Sequence, residues 1–457
     1  MSLGLTNTDA FFRRLRRKEF SRLDKTGQVY LDYTGGNLYP ASLLEKHHRF
    51  LRETVYGNPH STNPASKLSE KAITEARENV LRFFNADDYF CVFTANASAA
   101  LHIIAECYPF GPDSHLLLTA DNHNSVNGLR RYCSVRGGGF TYSPMDEEEL
   151  RIDEEALRQS LRSHGSAVNK LFAYPAQSNA SGVQHSLHWV KAAQLEGWDV
   201  LLDAAAFVPT SPLDLSKVQP DFVPISFYKI FGYPTGIGCL LVRKATFHKL
   251  RKPSFTGGTI TISSAAYDGY FLKADHERFE DGSVNYLDIP AVANGLDFIS
   301  GLNIQFINDR IKQLSAYFLQ LLELLKHDNE SGLIRLYGPA HTEKRGSTFL
   351  LNFIDAEGQM YPFQMIEARA NAAQISLRSG CFCNPGIDEL NHRISAENLR
   401  SFFLNRKSGD YDEMIQHLGR WRGAVRVSLG YPTTKADIDK FAAFAKRFLN
   451  KTIGAML

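Results

Sequence analysis

The sequence predicts an α/β fold in which a mostly parallel sheet carries helices on both faces and is followed by a smaller α+β domain. Between residues 30 and 245, short apolar runs alternate with helical stretches, which is typical of parallel sheets whose strands are joined by helices. After about residue 290, long helical stretches replace that alternation. We therefore expect an N-terminal helical segment over residues 1–29 that packs with the small domain, a large domain over 30–290 and a small domain over 291–457.

The elements of the large domain follow from this alternation. Apolar runs predict strands at residues 90–93, 115–118, 170–174, 199–202, 221–226 and 239–242. Helical periodicity predicts helices at residues 97–107, 125–136, 153–163 and 187–196. Sheets of this kind bind ligands at the carboxyl ends of their strands, so the polar residues there are the candidate functional residues.

The elements of the small domain are longer helices and two apolar runs. Helices are predicted at residues 291–300, 304–325 and near 361–372, and strands at 347–353 and 424–429. A last helix is expected from residue 435 to about 451, with Thr433 and Thr434 as its candidate caps.

The composition excludes several classes of function. The 457 residues are 44% hydrophobic and carry a net charge of +2, so no strong field would recruit nucleic acid. No apolar run reaches the roughly 18 residues that a membrane helix needs. The arginine-rich N-terminal segment resembles a transit peptide, but Asp9 and Glu19 favour a helix on the protein surface. Six cysteines do not make a disulfide framework in a chain of this length, which favours a reducing, cytoplasmic setting.

Lys229 is the first candidate for catalysis. It follows an apolar run that ends at Ser226, and Gly232 lies just beyond it. A lysine at the end of a buried strand is suited to be an amine kept neutral for covalent chemistry. The alternative is an ordinary surface lysine, since lysine is rarely buried. The other strand ends must decide between these interpretations.

Polar residues follow several other predicted strands. The stretch 94–98 opens a helix with small and hydroxyl residues, which suits an anion site but also an ordinary helix cap. Asp203 precedes three alanines, so it could protonate the ring nitrogen of a flat ligand lying on them, or be satisfied by backbone N–H groups. His123 could cover the other ring face or be a loop histidine. Asn179 could hold a phenolic oxygen or form a turn with Gly182.

Together these features match what pyridoxal 5′-phosphate (PLP) requires of a protein. PLP needs a lysine for covalent attachment, an acid at the pyridine nitrogen, a helix N-terminus for its phosphate and an aromatic cover for its ring. Lys229, Asp203, the stretch 94–98 and His123 supply these groups. The sequence therefore predicts PLP as the cofactor and an amino acid as the substrate, with no metal.

Motifs spread nearly from end to end of the chain carry a family resemblance. They are YLDY at 30–33, YGNPHS at 56–61, FTA at 93–95, DNH at 121–123, PAQSN at 175–179, LDAAAFV at 202–208, SFYK at 226–229, FEDG at 279–282, RSGCFCNPG at 378–386 and RVSLG at 426–430. In these motifs the chain resembles the class V aminotransferase fold, cysteine desulfurase branch, and most of all the N-terminal, desulfurase-like domain of molybdenum cofactor sulfurases. The resemblance implies the PLP-dependent transferase fold type I, with a mostly parallel seven-stranded sheet.

The resemblance implies a role for each matching position around the cofactor. Lys229 would attach PLP covalently, Asp203 would bond its pyridine nitrogen and His123 would stack on its ring. The phosphate would be held by Ala97, Ser98, Ser226 and Tyr228. Simpler desulfurases carry a histidine and a glutamine at the positions of Tyr228 and Ala206. Cofactor sulfurases share this kind of replacement with the present chain. Asn179 is therefore the main candidate to hold the phenolic oxygen of the cofactor.

The resemblance also implies how substrate and subunits meet. Arg426 would pair with the substrate carboxylate, which suits guanidinium geometry, and Arg378 would help to orient it. Asn179 is a further substrate-binding candidate. Thr259 would reach the phosphate of the other subunit, so a homodimer with shared active sites is implied.

The pair Cys381 and Cys383 points to the chemistry. In desulfurases a mobile-loop cysteine takes the substrate sulfur as a persulfide and alanine is released, and Cys383 falls on that position. Glycines at 380 and 386 would give the loop its mobility, and nearby arginines would favour a thiolate. Cys381 would assist or pass sulfur on. Two core cysteines are the alternative interpretation, and a metal site is disfavoured because no second pair or histidine cluster lies close in sequence.

Three functions are therefore compared. The first is a cysteine desulfurase-like enzyme with its persulfide on Cys383. The second is a PLP-dependent lyase or decarboxylase/aldolase that acts on another amino acid and does not use Cys383. The third is a non-enzymatic scaffold, which the set Lys229, Asp203 and Arg426 disfavours. Cofactor sulfurases continue into a second domain that receives the sulfur, whereas this sequence ends at Leu457. Either a stand-alone desulfurase with a separate sulfur-acceptor protein or a relative put to other uses is therefore expected.

Overall fold

The computed structural model describes residues 2–165, 167–252, 257–404 and 406–456, and side chains from residue 8 onward. The strands are β1 Val29–Tyr30, β2 Tyr89–Thr94, β3 Ser114–Thr119, β4 Gly139–Ser143, β5 Asn169–Pro175, β6 Asp199–Asp203, β7 Phe222–Ser226, β8 Gly238–Arg243, β9 Ile260–Ser264, β10 Gly269–Leu272, β11 Ile334–Tyr337, β12 Thr348–Phe353, β13 Ile375–Ser376, β14 Arg378–Gly380 and β15 Ala424–Ser428.

The helices flank these strands along the whole chain. They are α1 Ser2–Glu19, α2 Ser21–Thr26, α3 Ala41–Glu53, α4 Pro64–Phe83, α5 Ala97–Cys107, α6 Asn124–Asn127, α7 Leu129–Val135, α8 Glu154–Ser163, α9 His188–Leu195, α10 Tyr228–Phe231, α11 Lys244–Phe247, α12 Ile289–Leu302, α13 Ile304–Glu323, α14 Phe363–Ala372, α15 Pro385–Asn391, α16 Ala396–Leu404, α17 Tyr411–Leu418, α18 Lys435–Ala445 and α19 Ile453–Met456. Short 3₁₀ turns lie at His276–Phe279 and Lys446–Phe448.

The large domain is built on a seven-stranded sheet in the order β2-β8-β7-β6-β5-β3-β4. Strand β8 is antiparallel to both its neighbours, and the remaining pairs are parallel. The prediction of a mostly parallel seven-stranded sheet is therefore confirmed. Its edge strand β4 was not among the predicted runs, because its residues Gly139–Thr141 are exposed and carry no apolar pattern.

Both faces of this sheet are covered, as the alternation along its strands requires. In β6, Val200 and Leu202 join a core that includes Trp189 of α9, whereas Leu201 joins a second core that includes Leu101 of α5. Because β5, β6 and β7 run parallel, their carboxyl ends lie at a common edge, where polar side chains can meet.

The small domain has its own sheet, in the order β11-β12-β15-β14. Strand β1 pairs with β13, and Asp32 forms a bridge with Ser428 of β15. The first residues of the predicted large domain thus lie against the small domain, because their backbone completes its hydrogen bonding there. The segment around Asp32 then crosses to the large domain, which places it between the two.

The N-terminal helix packs against residues of the small domain. The Arg16 guanidinium donates to the Asp437 carboxylate at 2.6 Å and to the Pro432 carbonyl at 3.1 Å, at the start of α18. Phe12 stacks on Phe306 at the start of α13, with ring centroids 5.0 Å apart. Part of the charged face of α1, at Arg16, is therefore used in packing.

Several predicted element bounds differ from the structure. The helix predicted at 125–136 is two helices, α6 and α7, which meet at Gly128. The last predicted helix ends at Ala445 and continues as a 3₁₀ turn to Phe448; Thr434 caps it through a capping box with Asp437. Within the described ranges no helix is at once long and apolar enough to cross a lipid bilayer.

Candidate active site

A cavity of about 340 Å³ lies at the carboxyl edge of the large sheet. Strands β5, β6 and β7 end at its wall, with Pro175, Asp203 and Ser226. It is lined by eight of the predicted site residues, namely Ala97, Ser98, His123, Asn179, Asp203, Ser226, Tyr228 and Lys229. The fold thus brings together side chains that lie up to 132 positions apart along the chain, between Ala97 and Lys229.

Lys229 sits in the short helix α10, directly after β7. Gly232 ends this helix with φ of 82°, and a side chain there would collide with the backbone of Leu38 and Tyr39. Burial lowers the pKa of Lys229, and the positive charges of Arg426 and Arg378 lower it further, while Asp203 opposes them. The amine is therefore biased towards the neutral, nucleophilic form.

The N-terminus of α5 forms one end of the cavity. Asn96 caps the helix by accepting from the Ala99 N–H at 3.0 Å, and the Ala97 N–H donates to the Ser226 hydroxyl at 2.9 Å. The Ser98 and Ser125 hydroxyls lie 2.6 Å apart. A helix N-terminus with three converging hydroxyl groups is suited to bind an anion such as a phosphate.

Glycine at position 238 allows this arrangement. A side chain there would lie 2.7 Å from the Asn96 Cα and 2.5 Å from the Ile225 carbonyl oxygen. The start of α5 can therefore rest directly on β8, beside the end of β7. Ser125 was missed by the sequence analysis, although it stands only two residues after His123 in the same loop.

Asp203 and His123 face the same cavity from different strand ends. The Asp203 carboxylate accepts from the Ala205 N–H at 3.0 Å, and its second oxygen has no hydrogen-bond partner among the described residues. His123 accepts from the Ser125 N–H at 3.1 Å through Nδ1. Burial lowers the pKa of His123 although Asp203 raises it, so the ring is biased towards the neutral form. A neutral ring can stack on a flat aromatic ligand whose ring nitrogen bonds to Asp203.

Arg426 and Arg378 lie beyond the cavity wall and share one carboxylate. Asp32 accepts from Arg426 Nη2 at 2.9 Å and from Arg378 Nη2 and Nε at 2.8 and 3.0 Å. Arg426 also donates to the Asn179 carbonyl at 2.9 Å. Its Nε is buried and has no hydrogen-bond partner among the described residues. The sequence analysis quoted Asp32 in a motif without giving it a role, because only the fold reveals that two distant arginines converge on it.

The loop that carries the two cysteines lies between β14 and α15 and is fastened to the large domain. Asn179 donates to the Phe382 carbonyl at 2.8 Å and accepts from Asn384 at 2.9 Å. The Cys383 carbonyl accepts from the Asn124 N–H at 2.7 Å. The Phe382 ring lies 5.1 Å below the Arg426 guanidinium. Both the nitrogen and the oxygen of the Asn179 side-chain amide are thus used to hold this loop.

The two cysteines differ in exposure. Cys383 is exposed and Cys381 is partly buried, and burial raises the pKa of Cys381. Phe382 and Cys383 both have positive φ values, 57° and 53°, which non-glycine residues rarely adopt. Only Cys383 is therefore both accessible and held in a strained backbone that a movement of the loop would relieve.

The expected role of Gly386 is wrong. It lies within helix α15, and a side chain there would come 2.0 Å from the Ala120 carbonyl oxygen. This glycine allows close packing against the large domain and does not provide loop mobility. Gly380 ends β14, where it pairs with Ala424, and its φ of 108° is a conformation that glycine adopts readily.

Thr259 lies outside the cavity of its own chain. It is fully buried just before β9, and its hydroxyl has no hydrogen-bond partner among the described residues. Cys381, Cys383, Arg378 and Arg426 likewise do not line the cavity, although the loop and Arg426 border it through Asn179.

Sequence and structure comparisons give consistent results. The family model described as aminotransferase class-V matches residues 29–441. The chain is 38% identical to molybdenum cofactor sulfurase from Homo sapiens and 37% identical to that from Arabidopsis thaliana, over 94% of this chain in both cases. It covers 51% and 57% of those proteins, so the chain spans about half the length of these relatives.

Solved structures with the same fold are similar over nearly the whole chain. The apo structure of cysteine desulfurase from Thermococcus onnurineus has a TM-score of 0.78 at 24% identity, covering 95% of this chain and 97% of that one. A cysteine desulfurase from Escherichia coli has a TM-score of 0.72 at 19% identity, covering 95% and 97%. These similarities confirm the predicted fold.

Proposed function

The chain belongs to the class-V aminotransferase family, and from that premise we propose that it is a PLP-dependent enzyme that takes sulfur from L-cysteine, releases alanine and holds the sulfur as a persulfide on Cys383. The observation that carries this proposal is the exposed Cys383 on a loop fastened to Asn179 at the wall of a cavity that contains Lys229 and Asp203. The named relatives, molybdenum cofactor sulfurases and cysteine desulfurases, support it.

The residues around the cavity fit PLP. The N-terminus of α5, with Ser98 and Ser226, offers donors for a phosphate, and Asp203 has an oxygen available for a protonated pyridine nitrogen. Ala205 and Ala206 line one wall of the cavity, and His123 lines another. Lys229 would attach the cofactor covalently. When bound, PLP would withdraw electrons from the substrate Cα.

The substrate carboxylate is proposed to bind Arg426. The buried Nε of this arginine has no protein partner in the described part of the chain, and an unsatisfied buried donor is costly unless a ligand accepts from it. Arg378 would help orient that carboxylate only through Asp32, which both arginines share, and Asn179, whose carbonyl accepts from Arg426, would border it. Because Arg426 and Asn179 also contact the cysteine loop, substrate and loop would compete for the same groups.

The chain's own groups can perform the remaining steps. Lys229, neutral and adjacent to the substrate, would take the proton from Cα and later return one. The Cys383 thiolate would attack the substrate sulfur, so that an S–S bond forms while the C–S bond breaks. The electron pair of that bond would stay on carbon, which takes up a proton, and alanine would leave. The sulfur on the exposed Cys383 would then pass to an acceptor protein.

A homodimer with shared active sites is part of the proposal. The hairpin of β9 and β10 exposes Ile262, Tyr267 and Phe271, at 62%, 77% and 72% of their surface. Exposed apolar side chains on a projecting hairpin suit contact with a second copy. Thr259 leads into this hairpin, but its hydroxyl is buried within its own chain, so it would reach the partner's phosphate site only if dimer formation rearranged this segment.

The test compares Cys383→Ser with Cys381→Ser in the purified holoenzyme, with alanine and sulfide measured in the presence of L-cysteine. Loss of alanine release in Cys383→Ser, with substantial activity in Cys381→Ser, is the expected result. Unchanged alanine release in Cys383→Ser would contradict the persulfide mechanism. A panel of other amino acids, with CO₂ also measured, would then identify the lyase or decarboxylase/aldolase alternative.

A further inference from the structure

Asp32 is the shared partner of the two arginines beside the cavity. Its Oδ1 faces Arg426 and its Oδ2 faces Arg378, so that each oxygen serves a different guanidinium. The Asp32 and Arg426 side chains are nearly buried, at 11% and 4% exposed, whereas that of Arg378 is 52% exposed. The pair is therefore asymmetric, with one cation buried and one half exposed to solvent.

The position of this carboxylate is set by its surroundings. The Asp32 backbone bridges to Ser428, and its carbonyl accepts from the Tyr30 hydroxyl at 3.2 Å. A side chain at Gly35 would lie 2.5 Å from Asp32 Oδ2 and 2.7 Å from Arg378 Nη2. Glycine at this position thus leaves just enough room for Arg378 to reach the carboxylate.

The charges decide what this arrangement can bind. Burial lowers the pKa of Lys229, and the positive charges of Arg426 and Arg378 lower it further; Arg426 also donates to the carbonyl of Asn179, which lines the cavity. Asp32 cancels one of their two positive charges and occupies the Nε and Nη2 donors of Arg378, which form the face that binds a carboxylate bidentately. One net positive charge remains for the substrate, which matches a single α-carboxylate.

We propose that Asp32 determines specificity, by sequestering Arg378 so that the site accepts amino acids with one carboxylate and disfavours those with two. The inference rests on the proposed function only in placing the substrate carboxylate at Arg426. A substrate with a second carboxylate would meet no free guanidinium face and would add an uncompensated negative charge beside Asp32. Asp32 acts here through Arg378 and is a positioning residue.

The test measures binding of propionate and succinate to the holoenzyme by calorimetry. Neither anion has an amino group, so binding reports on charge recognition without any chemistry. In the wild type, succinate is expected to bind no more tightly than propionate. In Asp32→Asn, the freed Arg378 should favour succinate by about fivefold to tenfold at low salt, because a charge-assisted pair at a half-exposed site is of modest strength. In Asp32→Asn/Arg378→Ala this preference should vanish.

Two results would overturn the proposal. One is a succinate-to-propionate ratio that is the same in the wild type and in folded Asp32→Asn. The other result concerns the single variant Arg378→Ala. Because Asp32 already occupies Arg378, this variant should bind succinate and propionate in the same ratio as the wild type. A selective loss of succinate binding would show that Arg378 is free in the wild type. This second variant keeps the test valid if Asp32→Asn does not fold. Neither measurement depends on turnover of cysteine, so failure of the proposed function would be seen separately.

Discussion

Burial lowers the pKa values of two cationic residues beside this site. Lys229 and Arg426 both have lowered pKa values because of burial, and each is partly compensated by one carboxylate, Asp203 and Asp32 respectively. Arginine stays protonated even so, whereas lysine can become neutral at ordinary pH. The same burial therefore gives one fixed cation for binding and one amine for chemistry.

His123 provides a prediction at this scale that depends on pH. Burial lowers its pKa in the folded chain below the ordinary value of 6.5. As the pH falls through about 6.5, His123 takes up a proton in the unfolded chain before it does so in the folded chain. This proton uptake favours the unfolded chain, so the free energy of unfolding decreases as the pH falls. Relative to His123→Gln, the cofactor-free wild type should lose melting temperature between about pH 7.5 and about pH 5.5. Melting curves that shift in parallel over this range would contradict the assignment.

Among the elements, the cysteine loop is held at both ends. On one side Asn179 and Asn124 fasten its backbone. On the other, Asp388 of α15 accepts from the Arg422 Nε at 2.8 Å, the Gly423 N–H at 2.8 Å and the Tyr411 hydroxyl at 3.0 Å. The four residues from Cys381 to Asn384 thus form a short link that is fastened at Phe382, at Cys383 and through α15.

Loss of the Asp388 anchor should destabilise the protein strongly. Asp388→Ala leaves Arg422, which is 3% exposed, without its carboxylate, and breaking one side of a buried ion pair costs about 3–5 kcal/mol. Glu413→Ala is the matched control, since its pair with Arg406 on the same side of the domain is half exposed and should cost less than about 1 kcal/mol. Urea unfolding of both variants checks this. Equal, small losses would show that Asp388 does not anchor α15.

At the scale of the whole molecule, the strand ends were predictable and the contacts between them were not. Apolar runs located six strands of the large sheet because buried strands need such runs, and the ends of these strands supplied the cavity residues. Asp32 and Ser125 were missed because their roles depend on partners distant in sequence or on the path of a loop. Gly386 was misassigned because sequence alone does not distinguish a glycine needed for packing from one needed for movement.

The assembly of two chains is a further prediction at this scale. The wild type should sediment as a dimer, and Ile262→Glu/Phe271→Glu should shift it towards monomer, because two charges would be buried in an apolar contact. Leu195→Glu, at a site 74% exposed but away from the hairpin, should remain dimeric. Analytical ultracentrifugation of the three proteins distinguishes these cases. A dimer that is equally stable in all of them would place the interface elsewhere.

The most direct test of the central claim is mass spectrometry of the peptide that contains Cys381 and Cys383, after the holoenzyme has reacted with L-cysteine and free thiols have been blocked. We predict that the peptide gains one sulfur atom, that fragmentation places it on Cys383, and that Lys229→Ala abolishes the gain. A peptide without added sulfur, in a sample that has released alanine, would contradict the account.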